Sequence, residues 1–112
     1  MIDADKIRKI IAVYHKHGWI LQRVLLSPSL RDRIGNDLSH LIDGVQVMDS
    51  DVDAAWFSRP PKPGGVPWEL RHLSETPYAL LENIDENSPG FEDALRRVET
   101  RLRETVAKVK SA

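Results

Sequence analysis

Asp49, Asp51 and Asp53 lead into a Pro/Gly loop, Glu69-Leu70-Arg71 follows it, and Trp56 and Trp68 stand on either side. Carboxylates in such a cluster can share a divalent cation, which takes oxygen ligands and activates water for attack on a phosphodiester. The candidate set for that chemistry is Asp51, Asp53, Glu69 and Arg71. Arg71 could steady a phosphoryl transition state. It cannot accept a proton, because a guanidinium stays charged up to about pH 12. The simpler reading of the same residues is an ion pair across two strands, Asp53 to Arg71, on a half-exposed sheet face.

An acidic residue on one strand followed by E-x-K on the next resembles the restriction-endonuclease-like families. There two carboxylates hold Mg²⁺ and the lysine helps activate the water. The likeness here is confined to residues 51–71 and meets arginine where those families carry lysine. It assigns no membership and no catalytic or metal-binding residue. The other motifs are weaker. His15 and His17 lie two apart on a helix and point to different faces. Ser27-Pro28-Ser29 lacks the glycines of a phosphate loop, and Asp49-Ser50-Asp51-Val52-Asp53 lacks the turn glycine and final glutamate of a calcium loop. No cofactor is expected.

The tryptophans admit two uses. They can stack on a base, a sugar or a proline-rich peptide, or they can be core beneath a helix. Core is the favoured use, with the rim by the proline turn left for a partner. Trp56, Arg59, Lys62 and Trp68 would centre that rim, since Trp and Arg are enriched at such anchors.

These residues must be carried by elements that the hydrophobic pattern defines. Ile7, Ile10, Ile11 and Tyr14 share one helical face, with Asp3 or Asp5 before them and Gly18 after. WILQRVLLS, residues 19–27, is apolar on both alternating sets and reads as an interior strand. Ser27-Pro28 opens a second helical segment that runs to Gly44 with a break near Gly35. A short strand, 45–48, should then pair parallel to the first. Residues 52–59 and 66–73 read as strands joined by a turn at 60–65, and residues 78–84 as a further strand. With Lys62 at the centre of the turn, Trp56 faces Trp68, Ala54 faces Leu70 and Asp53 faces Arg71. Ser88 should cap the last helix with Pro89 as its first residue. Phe91, Leu95, Val98, Leu102, Val106 and Val109 form its stripe. Glu92–Arg96, Asp93–Arg97, Glu99–Arg103 and Glu104–Lys108 are acid-before-base pairs along it.

The expected fold is therefore α/β (α+β), one domain over 1–112. It has a mixed sheet of about four or five strands, three helices, and the order α-β-α-β-β-β-β-α with an antiparallel meander in the second half. Among the 112 residues, 41% are hydrophobic and 29% charged, which suits a globular domain and not a disordered chain. The net charge of -1 supplies no field toward nucleic acid, so no nucleic-acid partner is expected. No apolar run nears the roughly 18 residues of a membrane span. The charged start MIDADKIRKIIAVYHKH does not read as a signal peptide. The absence of cysteine fits a cytoplasmic protein. The functional expectation is a non-enzymatic module that binds a protein partner or a second copy of itself. The alternative is a divergent phosphodiesterase, and a small-ligand pocket beside the second helix is a lesser option.

Overall fold

In the computed structural model, which describes residues 2–63 and 65–111 and the side chains up to Lys108, the chain begins with a capped helix. The Asp3 carboxylate accepts the Lys6 amide at 2.9 Å and opens α1, Ala4–Lys16. Ile7 and Ile11 are buried on one face, with Ile10 and Tyr14 packed beside them. Gly18, at φ 85°, turns the chain into β1, Ile20–Leu26. The Ser27 hydroxyl accepts the Leu30 amide at 3.3 Å and Pro28 opens α2, Pro28–Ile34. Gly35 then takes φ 55°, ψ −127°, a conformation essentially closed to residues with a Cβ. The expected break falls there. A 3₁₀ turn, Gly35–Asp37, leads to a short α3, Leu38–Leu41.

β2, Gln46–Asp49, runs parallel to β1, with Val24 opposite Val47. β3, Ala54–Ser58, pairs antiparallel on the other side of β1. β4, Pro67–His72, and β5, Ala79–Asn83, complete the meander. The sheet order is β2-β1-β3-β4-β5, so β1 is interior, as its two-sided apolar pattern requires, and β5 is an edge. The final helix is α4, Phe91–Ser111. This is the expected α/β (α+β) fold with a mixed five-stranded sheet, in the expected order.

Two cores sit on opposite faces of the sheet. Ile7 and Ile11 of α1, Leu30 and Ile34 of α2, and Val24, Leu26, Ala55 and Phe57 of the sheet form one. Leu95, Val98 and Leu102 of α4 close over Leu25, Ala54, Trp56, Trp68 and Leu70 to form the other. All five residues of β3 are buried, and alternate residues feed alternate cores. Each fully buried leucine or valine of the α4 stripe contributes about 1.5–3 kcal/mol. Val109, expected at the end of that stripe, lies outside the described side chains.

Three expectations need correction. The β3–β4 register is two residues away from the expected one: Trp56 faces Leu70, Ala54 faces His72, and Ser58 faces Trp68. An even shift keeps every side chain on its expected face, which is why the cores come out right. The last helix starts at Phe91 and not at Pro89. The Gly90 carbonyl accepts the first helical bond, from Ala94, while the Ser88 hydroxyl accepts the Gly90 amide inside a preceding turn. Finally, on α4 Asp93 takes Arg96 in place of Arg97, and Glu92 and Arg103 leave their expected partners. Glu92 takes both terminal nitrogens of Arg23 on β1, at 2.6 and 2.9 Å, and Arg103 reaches Asp51 at 2.7 Å. They flank the buried stripe and so face the sheet layer.

Candidate functional site

The carboxylates of residues 49–69 go to separate places. Asp51 is exposed and pairs with Arg103 of α4, whose guanidinium bond is the main cause holding its pKa below the usual carboxylate range. Asp53 turns to the start of α2, where it accepts the Ser27 amide at 2.6 Å and the Ser27 hydroxyl at 3.2 Å. Glu69 accepts the Tyr14 hydroxyl. Tyr14 in turn stacks on Phe57, with ring centroids 4.0 Å apart. Burial first, then the bond to Glu69, raises the Tyr14 phenol well above its ordinary value. Arg71 faces Ala55 across the ladder and donates to the His72 carbonyl. The expected Asp53–Arg71 pair is absent because the register shift puts Leu73, whose amide reaches the Asp53 carbonyl at 2.9 Å, where Arg71 would stand. Among the described residues no three His, Cys, Asp or Glu side chains converge as a metal site. Asp51, Asp53, Glu69 and Arg71 thus do not form one constellation.

The aromatic set is drawn together, but inside. Trp56 is 0% exposed and Trp68 3%. Their rings meet edge to face at 6.0 Å, and Phe91 of α4 lies edge-on to Trp68 at 5.3 Å. The Trp56 indole donates to Glu99 at 2.8 Å, while the Trp68 indole N–H is buried without a protein acceptor. With α4 docked, neither ring offers a face to a partner. The other two residues expected at the rim part company. Arg59 lies over the Trp19 ring, 4.4 Å from its centroid, and donates to the His17 carbonyl at 2.8 Å. Lys62 is exposed at the hairpin tip, where its amide and carbonyl each bond Gly65 at 3.0 Å.

A different feature stands out at the sheet margin. The His72 amide bonds the Tyr78 carbonyl at 2.9 Å, and the Ile84 amide bonds the Val66 carbonyl at 3.0 Å. Antiparallel ladders alternate, so Leu80 and Glu82 also turn their amides and carbonyls toward β4. Ala79, Leu81 and Asn83 turn theirs away from the sheet. Leu81 is 63% exposed, on the same sheet face as α1 but beyond that helix, which packs over β1. Its neighbours there are Glu69, directly opposite on β4, and Arg71, opposite Ala79. Two hollows lie beside α4, one against the end of β5 and one against the 74–78 turn. One, of about 420 Å³, is lined by Ile84, Asp85, Phe91, Arg97 and Arg101. The other, of about 280 Å³, is lined by His72, Pro77, Tyr78 and Val106. The sequence pattern gives a strand over 78–84 without singling out Leu81. The available signal was a leucine centred in the last strand of a meander, with no later strand to cover it.

Comparison with models of known families, with curated proteins and with solved structures finds no match. The functional reading therefore rests on the geometry just described. No helix among the described residues is long and apolar enough to cross a membrane.

Proposed function

We propose that this domain is a non-enzymatic interaction module that binds a protein partner by strand addition at β5. The observation that carries the reading is the outer edge of β5, where the peptide groups of Ala79, Leu81 and Asn83 point away from the sheet around an exposed leucine. An added strand would gain about 0.5–1.5 kcal/mol for each backbone hydrogen bond and would bury Leu81, worth up to about 1.5–3 kcal/mol. Main-chain pairing supplies the affinity in this mode, and side chains beside the edge supply the choice of partner. Glu69 and Arg71, one strand in, offer one charge of each sign for that choice.

The hairpin contributes through its tip and not through its tryptophans. Gly65 lies against Asn83, since a side chain at that glycine would meet Asn83 Cβ at 3.5 Å. Lys62, paired with Gly65, lies across the hairpin tip from that contact. A non-enzymatic role is favoured over phosphodiester hydrolysis because Asp51, Asp53 and Glu69 are each engaged by a different partner.

The test is a photo-crosslinking amino acid at position 81 of the chain in cells, with position 13 as the control. Val13 is also a large exposed apolar residue, 54% exposed on α1. A discrete adduct at 81 and none at 13 is expected. Equal or absent labelling at both positions would reject the edge as a binding surface.

A further inference from the structure

We infer that the occupant of the β5 edge is a second copy of this chain, paired antiparallel about a two-fold axis through Leu81. This rests on β5 being the docking edge. It goes further by naming the partner and the register.

The outward peptide groups are symmetric about Leu81, as a self-complementary interface demands. A hydrogen-bonded antiparallel pair exchanges both its N–H···O bonds. Outward residues must therefore meet outward residues, which leaves few registers. With Leu81 opposite Leu81 of the second copy, Ala79 meets Asn83 twice, and about six backbone bonds form. Sliding the pairing one way, so that Ala79 meets Leu81, brings Pro77 opposite Asn83, and proline has no amide to donate. Sliding it the other way, so that Leu81 meets Asn83, sets Glu82 directly against Glu82, a like-charge contact. In the favoured register Glu82 faces Leu80 instead, and the exposed leucines meet each other.

The one charge on the edge strand, Glu82, is paired with Arg101 of α4 at 3.7 Å. Lysine, proline and a bulge are all absent from Ala79–Asn83. The other edge, β2, is shorter, at four residues, and its Asp49 is held by Arg31 at 3.3 Å. The same register carries Pro77 of the second copy past Asp85, beside the hollow at Ile84 and Phe91. The hollow at the 74–78 turn of one copy would then adjoin the Ile84–Phe91 hollow of the other. Two five-residue strands form less than a standard interface of about 1,200–2,000 Å², so the dimer should dissociate on dilution.

The chain has no cysteine, which makes crosslinking unambiguous. Paired Cα atoms about 5.5 Å apart suit a disulfide. Under mild oxidation Leu81→Cys should give a covalent dimer. Asn83→Cys alone should not, while an equal mixture of Ala79→Cys and Asn83→Cys should crosslink. Sedimentation of the uncrosslinked chain should show a concentration-dependent dimer. Leu81→Lys or Leu81→Glu should each raise its dissociation constant more than about tenfold, and mixing the two should restore a dimer. Because each variant is rescued by the other, a folding defect would be told apart from lost pairing. Self-crosslinking of Asn83→Cys in preference to Leu81→Cys would overturn the register. A strict monomer at every concentration, with Leu81→Cys no faster to crosslink than Val13→Cys, would overturn self-pairing. If the label at 81 then still captured a different protein in cells, the docking edge would stand while the second copy fell. No capture would remove both.

Discussion

Replacing each buried tryptophan by phenylalanine should give two unequal losses from the same change of ring. Trp56 and Trp68 both lie under α4, at 0% and 3% exposure, so the removed ring atoms cost the two variants about equally. The polar consequences have opposite sign. Trp56→Phe gives up a bond to a carboxylate at 2.8 Å, and bonds to charged groups are worth about 1.5–3 kcal/mol. Glu99 is half-buried and can turn to water, so the low end, about 1.5 kcal/mol, is appropriate. Trp68→Phe removes a buried N–H that has no protein acceptor, relieving a penalty of about 1–3 kcal/mol. Taking both low ends, Trp56→Phe should be less stable than Trp68→Phe by about 2.5 kcal/mol. Urea unfolding followed by far-ultraviolet circular dichroism reads this without depending on the altered fluorophore. With a slope of about 1–3 kcal/mol per molar, the two midpoints should differ by about 1 M or more. Equal midpoints, or Trp68→Phe the weaker of the two, would refute the polar assignment of both indoles.

Asp53→Ala should cost about 1–3 kcal/mol by leaving the Ser27 amide without its acceptor, read as a lower urea midpoint and faster amide exchange at the start of α2. Gly35→Ala should cost about 1–3 kcal/mol although the space beside Gly35 is open, because the strain lies in its φ of 55°; a neutral outcome in thermal melts would contradict this. Acid should destabilise the fold through Glu75, Glu92 and Asp51, whose pKa values are lowered chiefly by hydrogen bonds from Lys6, Arg23 and Arg103 respectively. Groups lowered on folding stabilise above their unfolded values and lose that contribution as pH falls through the folded ones. Melting temperature should therefore hold from neutral pH to about 5 and then decline toward the Glu75 value of about 2; Glu92→Gln should flatten the decline, and an unchanged slope would contradict the Arg23 pairing.

What the sequence disclosed follows from which forces are local. The two-sided pattern of β1 identified an interior strand, and the stripe Phe91, Leu95, Val98, Leu102 identified the helix that covers the tryptophans. Both are consequences of burial, which periodicity encodes directly. The register of β3 on β4 was not encoded in that way. A turn holding three prolines and two glycines between Arg59 and Val66 joins the strands without fixing their offset, and either even offset serves both cores. The fate of each carboxylate was hidden for a different reason. Asp51 meets Arg103 and Glu69 meets Tyr14 through tertiary contacts between distant segments. The open edge of β5 needed the sheet order, which β1 alters by inserting itself between β2 and β3.

The place of α4 after every strand has a consequence during synthesis. The tryptophan face of the sheet is complete in sequence by Asn83, yet its cover, Phe91–Ser111, is translated afterwards. At about 5–20 residues per second the ribosome needs roughly 1–4 s to add that helix. Those residues must also leave the exit tunnel before they can dock. For that interval Trp56, Trp68 and Leu70 can only be wet, held by a chaperone, or covered by another nascent chain. Polysomes would bring such faces close together, so the rate of elongation through α4 becomes a determinant of how much chain folds and how much aggregates.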